Sequence, residues 1–323
     1  MSLTTSLAIF PGFKPGQSFT PPPTPIRAQP SWNFKETAKW NNSRQEAING
    51  RVSVVKYWNN PKWDWEWIYS FMSDDPSGQA YGIGLNQFYP QPIPATDLGV
   101  LKGFYHAMQG ANMFAYQPPD CVIGGNMSIT AVSGAGNLFT LYGANNAQLG
   151  NYANISGLGP TSFLDGNRQV LACSPLYITV YLAHADYALT ADSGSAFIGQ
   201  LLSPADANNN SELVHTIGAY PAIPLTGTPP TATLATESVQ LIDSSTLQVQ
   251  ANGTTVSTIT LPVNTVPNYQ GLVLNFASAP TPPIVAAFSY YYPVRFSEDT
   301  QEYENFSAML YSCSSVKMEQ DRL

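Results

Sequence analysis

The sequence predicts a mainly β protein in which the two ends of the chain form one discontinuous domain around an inserted β-rich module. Three observations lead to this prediction: an alternating aromatic strand near the N-terminus, a change of composition across residues 121–288, and a return to the first composition after residue 288. The 323 residues suffice for two domains that each bury a core. The 27 Pro, 24 Gly and 18 Tyr favour strands and turns over long helices.

The clearest strand pattern in the chain is the segment KWDWEWIYSF. Trp63, Trp65 and Trp67 fall on one parity, whereas Asp64 and Glu66 fall on the other. A period of two residues is typical of a strand with one buried and one solvated face. A row of aromatic rings can also serve as a sugar platform, but rings opposite charged residues favour a core face or an oligomer contact. We therefore expect these tryptophans to be mostly buried.

A segment rich in β-branched and aromatic residues, 51–58, precedes this strand and ends at Trp58. The turn-forming residues 59–61 (NNP) separate the two segments, so the pattern predicts a hairpin between them. Further upstream, alternation over residues 31–40 predicts another strand, and residues 41–44 predict a turn.

Two segments rich in proline flank this region. Residues 1–30 cannot sustain a helix or a central strand, and they predict an extended arm that lies on a neighbouring chain or stays mobile. Residues 73–94 combine Asp, Gly and Pro, and a loop of this length is typical of a functional excursion.

Residues 96–110 form the one convincing helix pattern, followed by a short strand pattern at residues 112–119. Thr96 suits the N-cap and Gly110 suits the stop. His106 lies beside the apolar stripe, which predicts a surface position. The apolar residues at helical spacing are Leu98, Leu101, Phe104, Tyr105 and Met108.

Residues 121–288 differ in composition from both ends of the chain, because their only basic residue is Arg168 and small polar residues dominate. Many short strands separated by turns favour a sandwich or barrel module. Asn252-Gly253 fits a type I′ turn that places Val249 opposite Val256. The expected strands include residues 137–142, 176–182, 239–249 and 255–261.

The C-terminal segment returns to the aromatic style of the N-terminal region. Residues 288–296 (FSYYYPVRF) and 302–317 predict the closing strands of the first domain. The expected division is an arm at residues 1–30, a discontinuous domain at 31–120 plus 289–323, and an inserted module at 121–288.

The sequence contains no recognisable constellation for catalysis, metal binding or cofactor binding. No nucleotide-binding or nucleophile motif occurs, and no apolar run approaches the roughly 20 residues that a membrane-spanning helix needs. We therefore expect no cofactor, reduced thiols, and a soluble protein that is cytosolic at synthesis. The scattered candidates are His106, His184, His215, Cys121, Cys173 and Cys313.

Net charge and composition argue against nucleic-acid binding by phosphate neutralisation. The net charge is −8, the pI is near 4.7, and only 11% of residues are charged, against about 25% in average globular proteins. The low charge favours a surface that is covered by neighbouring subunits or is polar without being ionic. An acidic surface can still form a channel that DNA passes without binding.

Three separated segments carry a resemblance to a known family: GRVSVVKYWNNPKWDWEWIYSFM, DLGVLKGFYHAMQGANMFAYQPPD and LVLNFASAPTPPIVAAFSYYYPVRFSEDTQEY. In order and spacing the series resembles the distal tail proteins of long-tailed bacteriophages, particularly the subfamily shared with gene transfer agents. The matching motifs lie at the two ends of the chain. The proline-rich arm is longer than the family's usual start, and residues 145–171 look like an enlargement of the middle module.

The resemblance implies a structural virion protein without enzymatic activity, made in the bacterial cytoplasm. Its two chain ends would form a tail-tube-like β-barrel with one flanking helix. Copies would close a hexameric ring between the tail tube protein and the hub or baseplate, with a tail fibre or a host surface glycan as further partners. DNA would pass through the ring without specific binding.

Two groups of residues follow from the patterns and the resemblance together. The expected structural core or ring interface comprises Trp58, Trp63, Trp65, Trp67, Phe104, Phe114, Arg295 and Phe296. The candidate lumen acids are Asp64, Glu66, Glu298, Asp299, Glu302 and Glu304.

Two other functions stay open at the level of sequence. A carbohydrate-binding or receptor-binding tail module would use the tyrosine-rich, β-rich middle segment. A polysaccharide-degrading tail enzyme would need two carboxylates converging in a cleft, as Asp74 with Asp75, or Asp64 with Glu66, could provide.

Overall fold

The structure is a computed structural model that describes residues 8–10, 34–46, 51–58, 60–74, 97–118, 121–221, 232–261, 271–307 and 310–321. The protein is mainly β, with 61% strand and 6% helix, and it contains a closed six-stranded barrel with further strands outside it. These features confirm the predicted fold class.

The described elements follow one another along the chain with one α-helix near the N-terminal third. In order they are β1 (Lys35–Lys39), β2 (Asn42–Glu46), β3 (Val52–Lys56), β4 (Lys62–Ser73), α1 (Asp97–Met108), β5 (Phe114–Tyr116), β6 (Val122–Ile123), β7 (Gly125–Ala135), β8 (Leu138–Tyr142), β9 (Tyr152–Ser156), a 3-10 helix (Ser162–Leu164), β10 (Gly166–Ser174), β11 (Tyr177–Tyr181), β12 (Tyr187–Leu202), β13 (Asn210–Glu212), β14 (Val214–Pro221), β15 (Ala232–Ser238), β16 (Leu241–Ala251), β17 (Thr254–Thr255), β18 (Ile259–Thr260), β19 (Val273–Phe276), β20 (Ile284–Phe296), β21 (Tyr303–Ser307) and β22 (Leu310–Gln320).

The chain divides into two compact units. The terminal unit comprises Thr5–Pro119 and Tyr292–Leu323, and the inserted unit comprises Asp120–Tyr291. The predicted boundaries at 120/121 and 288/289 lie close to the positions where the chain passes from one unit to the other, 119/120 and 291/292.

The terminal unit joins the two ends of the chain through strand pairing. β4 lies between β1 and β22, and β22 also pairs with the end of β20 and with β21. β5 pairs antiparallel with Tyr292–Val294 of β20. The C-terminal segments 288–296 and 302–317 therefore supply strands to the sheet that contains the aromatic strand, as the sequence predicts.

The predicted hairpin between residues 51–58 and the aromatic strand is wrong. β3 pairs with β2, whereas both edges of β4 are occupied by β1 and β22. On one edge, the 11-residue β22 pairs with more of the 12-residue β4 than the 5-residue β3 could, and the other edge is occupied by β1. The turn predicted at residues 41–44 is also wrong, because this segment begins β2.

Helix α1 confirms the predicted helix. It ends at Met108, and Gly110 follows with a positive φ of 67°, which glycine adopts without strain. Leu98 and Leu101 are buried, and His106 is exposed. The proposed cap, Thr96, lies outside the described residues.

Residues 8–10 are the described part of the predicted N-terminal arm. The backbone N–H of Phe10 donates to Ala115 at 2.8 Å, and the N–H of Ala115 donates to Ala8 at 2.8 Å. The Phe10 side chain is buried. This short piece therefore lies on its own chain. The rest of the arm, and the predicted loop after Asp74, lie outside the described residues.

The inserted unit contains the closed barrel. Each neighbouring pair is antiparallel, and β12 pairs with both β9 and β7, which closes the circle β7-β8-β11-β10-β9-β12. Alternate residues fill the interior, as the burial of Phe139 and Leu141 in β8 and of Ile178 and Val180 in β11 illustrates. Gly134 permits this packing, because an added Cβ would lie 2.3 Å from the Phe139 ring.

The segment expected as an enlargement, residues 145–171, supplies β9 and most of β10. It is therefore part of the barrel wall, because both of its strands are needed to close the circle.

The predicted Asn252-Gly253 turn is confirmed. Both residues have positive φ, 45° and 82°, and the N–H of Val256 donates to Val249 at 2.9 Å. The strand expected at residues 255–261 forms only in part, since it is interrupted between β17 and β18. β17 pairs with β16, whereas β18 pairs with β19.

Candidate functional site

The aromatic row of β4 is a core face of the terminal unit. Trp65 is 1% exposed and Trp67 is 6% exposed, while Trp58 and Trp63 are partly buried. The Trp65 ring lies 4.8 Å from the ring of Tyr292. Because Trp65 and Trp67 are covered by their own chain, they cannot present a platform to a sugar.

The indole N–H groups of these two tryptophans have partners. Trp65 Nε1 donates to Glu36 at 3.0 Å, and Trp67 Nε1 donates to the Tyr116 hydroxyl at 2.6 Å. A buried Trp generally requires such a partner for its polar edge. The two bonds therefore orient β4 against β1's Glu36 and β5's Tyr116.

A second aromatic cluster joins α1, β5 and β20. The Phe114 ring is 5.1 Å from Phe104 and 4.8 Å from Phe296, and Tyr105 is also 4.8 Å from Phe296. Phe114 and Phe296 are buried, and Phe104 is partly buried. These three predicted core residues thus come from distant segments and meet in one core.

Arg295 joins the ends of two C-terminal strands. Its guanidinium donates to the carboxylate of Asp321, and this hydrogen bond raises the pKa of Arg295. The backbone N–H of Asp321 donates to Pro293 at 2.8 Å. Arg295 therefore fastens the end of β22 to β20 and is partly buried.

The opposite face of β4 carries the first two candidate lumen acids. Asp64 pairs with Lys39, and Glu66 lies 3.9 Å from Lys35, both lysines being on β1. The side chains of Asp64 and Glu66 remain 25% and 29% exposed. Each carboxylate thus has a neighbouring base, which offsets its charge.

Two further ion pairs lie on the same sheet, between β4 or the segment after β20 and the strand β22. Lys62 of β4 pairs with Glu319 of β22 at 3.2 Å, and Lys317 of β22 pairs with Glu298 at 2.6 Å. With the two pairs of β1, four lysines face four carboxylates. We call this surface the ion-paired face; its paired charges sum to zero.

The remaining candidate lumen acids lie on the segment between β20 and β22. Asp299, Glu302 and Glu304 are exposed. None of the three makes an ion pair with another described residue. The six predicted acids therefore separate into a paired set and an unpaired set, a distinction that spacing along the sequence could not reveal.

The inserted unit buries a polar network that sequence reasoning missed. His215 and Glu237 are opposite each other in the β14–β15 pair, 2% and 4% exposed, with 3.6 Å between Nε2 and Oε2. The Tyr290 hydroxyl lies 3.0 Å from His215 Nδ1. No spacing rule brings these residues together, since only the strand register does so. All three side chains are buried within the inserted unit.

Asp192 forms a second buried polar element of this unit. Its carboxylate accepts hydrogen bonds from the N–H groups of Gly159, Thr161 and Ser193 at 2.7–3.0 Å, and from the Thr161 hydroxyl. Burial alone would raise the pKa of Asp192, but these hydrogen bonds outweigh it and lower the pKa. The carboxylate thereby fastens the loop after β9 to β12.

We expect Asp192→Asn to destabilise the protein by about 2 kcal/mol at neutral pH, because the amide replaces an acceptor oxygen with a donor. The folded-state pKa is below the unfolded value, so this stabilisation is present above the ordinary carboxyl pKa of about 3.9 and disappears as the pH falls. Urea unfolding at a series of pH values measures it. Asp165→Asn is the control, since Asp165 is exposed and accepts one bond at 3.3 Å. A difference between Asp192→Asn and wild type that is independent of pH would contradict the assignment.

The described residues also include a cleft and a buried thiol. A cleft of about 280 Å³ beside the β16–β17 turn is lined by side chains that do not ionise. Within the described ranges, no group of three or more His, Cys, Asp or Glu residues could hold a metal ion.

Burial raises the pKa of the Cys313 thiol to about 11, which disfavours its thiolate at neutral pH. No described helix is long and apolar enough to cross a membrane.

No protein-family model and no curated protein sequence matches this chain.

Proposed function

We propose that this protein is a structural virion protein that forms a hexameric ring at the distal end of a bacteriophage tail. The ring would join the tail tube to the hub, baseplate or fibres and let DNA pass. Since no family model and no curated sequence matches the chain, the proposal rests on the sequence resemblance and on the packing of the segments that carry it.

One observation carries the proposal: parts of all three segments that resemble the family share the terminal unit, although the inserted unit separates them in sequence. The Trp65 ring lies 4.8 Å from the Tyr292 ring, β5 pairs with Tyr292–Val294 of β20, and Phe114 packs on Phe296. The remainder of the third segment, residues 272–291, belongs to the inserted unit. A chance resemblance of unrelated segments gives no reason for them to share one core. Their common packing supports reading them as one ring-forming domain.

The ion-paired face is our candidate for the surface that DNA passes. Its lysines and carboxylates balance, so it offers no net attraction for phosphate and no base-specific contacts. Such a wall would let a duplex slide without binding. The overall net charge of −8 acts in the same direction.

The ring itself is tested with the purified full-length protein. Negative-stain electron microscopy and native mass spectrometry are expected to show rings of six copies. A protein that stays monomeric at micromolar concentration in both measurements would contradict the proposed assembly.

The passage of DNA is tested by reversing charge on the ion-paired face. We expect particles that carry Asp64→Lys with Glu66→Lys to assemble but to eject their genome slowly, because the added lysines attract phosphate. The defect should be strongest at low salt, since screening confines the field to about 8 Å at physiological ionic strength.

The neutral pair Asp64→Asn with Glu66→Gln is the matched control and should eject faster than the lysine variant. Normal ejection by the lysine variant at every salt concentration would show that this face does not line the path of DNA.

A receptor-binding role of the inserted unit is the second candidate, and one observation favours it. The exposed His184 ring stacks on Phe163 at 3.9 Å with an angle of 1° between the rings, and Tyr187 lies 5.7 Å from Phe163. An aromatic cluster of this kind suits stacking against a ligand. A glycan-binding screen of the full chain tests it, and His184→Ala with unchanged binding would count against this cluster.

A further inference from the structure

The β2–β3 hairpin is the most exposed apolar part of the terminal unit. Every residue of β3 is exposed, with Val54 60% and Val55 49% exposed. Of the twelve exposed large hydrophobic side chains among the described residues, five belong to this hairpin and its flanks: Trp40, Val52, Val54, Val55 and Tyr57. Such a concentration marks a contact surface, because scattered exposure would place far fewer in so short a segment.

No third strand of the described residues pairs with either outer backbone edge of the hairpin. Within the described part of the chain, β2 pairs only with β3, and β3 pairs only with β2. A two-stranded hairpin is marginally stable at best in water, and it gains stability when a further strand or an apolar surface covers it. Alternation places Val54 on one face and Val55 on the other, so both faces expose apolar side chains. These properties indicate that a partner covers the apolar faces and the backbone edges of the hairpin.

The charge of the hairpin indicates the chemistry of that partner. Residues 41–58 carry three bases, Arg44, Arg51 and Lys56, and one acid, Glu46. The chain as a whole is acidic, with a net charge of −8. A basic hairpin with exposed valines fits an acidic strand edge that also exposes an apolar side chain.

The strand β21 has these properties. It pairs with β22 along one edge, and no other described strand pairs with it. The segment 297–307 (SEDTQEYENFS) contains four acids and no base, and three of the acids make no described ion pair. Phe306 on the same strand is 46% exposed.

We infer that the β2–β3 hairpin of one subunit docks on the β21 edge of a second copy of this chain. The contact extends the partner's sheet through backbone hydrogen bonds, while the bases meet the acids of residues 299–304. A contact between two different surfaces is head-to-tail, and it closes a ring when the rotation permits. The inference rests on the ring of the proposed function and assigns Asp299, Glu302 and Glu304 to the subunit boundary.

The test is a charge exchange between the two surfaces, read by native mass spectrometry of the full-length protein. Arg44→Glu with Lys56→Glu reverses the hairpin, and Glu302→Lys with Glu304→Lys reverses the edge. Each pair alone is expected to convert rings into monomers, because like charges then meet. An equimolar mixture of the two proteins should form mixed contacts, and the chain carrying all four changes should recover the ring.

Asp165→Lys, an exposed acid of the inserted unit, is the control and should leave the ring unchanged. Circular dichroism confirms that each variant is folded. Rings that persist in both reversed variants, or no recovery in the fourfold variant, would overturn the inference while the ring itself stands. A wild-type protein that is monomeric would overturn the proposed ring and this contact together.

Discussion

A chain truncated after Ser289 is expected to lose the fold of the terminal unit while the inserted barrel survives. The truncation removes β22, which pairs with β4 along most of its length, and it removes the end of β20 that pairs with β5. It also removes the buried side chains of Phe296, Val316 and Met318 from the core. The sheet would be left with a bare edge and an exposed apolar face, so insolubility or unfolding follows.

Hydrogen exchange followed by mass spectrometry measures this result. Peptides from residues 60–74 and 97–118 are expected to lose protection in the truncated chain. Peptides from β7–β12 serve as the internal control, because all six strands of the barrel lie before the truncation. Retained cooperative protection in the aromatic strand would contradict the dependence of the terminal unit on the C-terminal strands.

Trp65→Ala is expected to lower the free energy of unfolding of the terminal unit by about 3–5 kcal/mol, the usual cost for a large aromatic residue in a core. Trp65 is 1% exposed, and its ring lies 5.2 Å from Tyr116 and 4.8 Å from Tyr292. The substitution opens a cavity and leaves the Glu36 carboxylate without its indole donor. Chemical denaturation followed by hydrogen exchange of the β4 peptides measures the change.

Trp40→Ala is the matched control because Trp40 is 47% exposed. Its ring contacts Lys56 at 5.2 Å, an interaction of about 0.5–1 kcal/mol at an exposed site. We therefore expect a loss of no more than about 1 kcal/mol. Equal losses for the two substitutions, or an unchanged stability of Trp65→Ala, would contradict the burial of the aromatic row.

The effects of the charge reversals on assembly can be distinguished from the effects of these changes on folding. The charge reversals proposed for the hairpin and for β21 lie on exposed residues, whereas Trp65→Ala and the truncation remove buried contacts. Exposed substitutions usually change stability by about 0.5 kcal/mol or less. A variant that is folded but monomeric therefore identifies a contact between subunits.

The sequence by itself determined the local elements. The alternation of Trp63 to Trp67 identified a strand and its buried face, because strand side chains alternate with a period of two. The apolar spacing and Gly110 located helix α1, and Asn252-Gly253 located a tight turn, because both depend on neighbouring residues alone.

Only the tertiary structure decided which strands pair and which charges meet. Lys62 contacts Glu319 across 257 positions of sequence, and His215 faces Glu237 through the register of β14 and β15. The local pattern predicts which face of β4 is buried, but it does not predict which strands pair with the edges of β4. The segment nearest in sequence, residues 51–58, is therefore the wrong partner. The pairing depends on which distant strand has the length and the apolar face to pack beside the tryptophans. Several strands of the chain compete for this position, and the outcome is decided only when the whole chain packs.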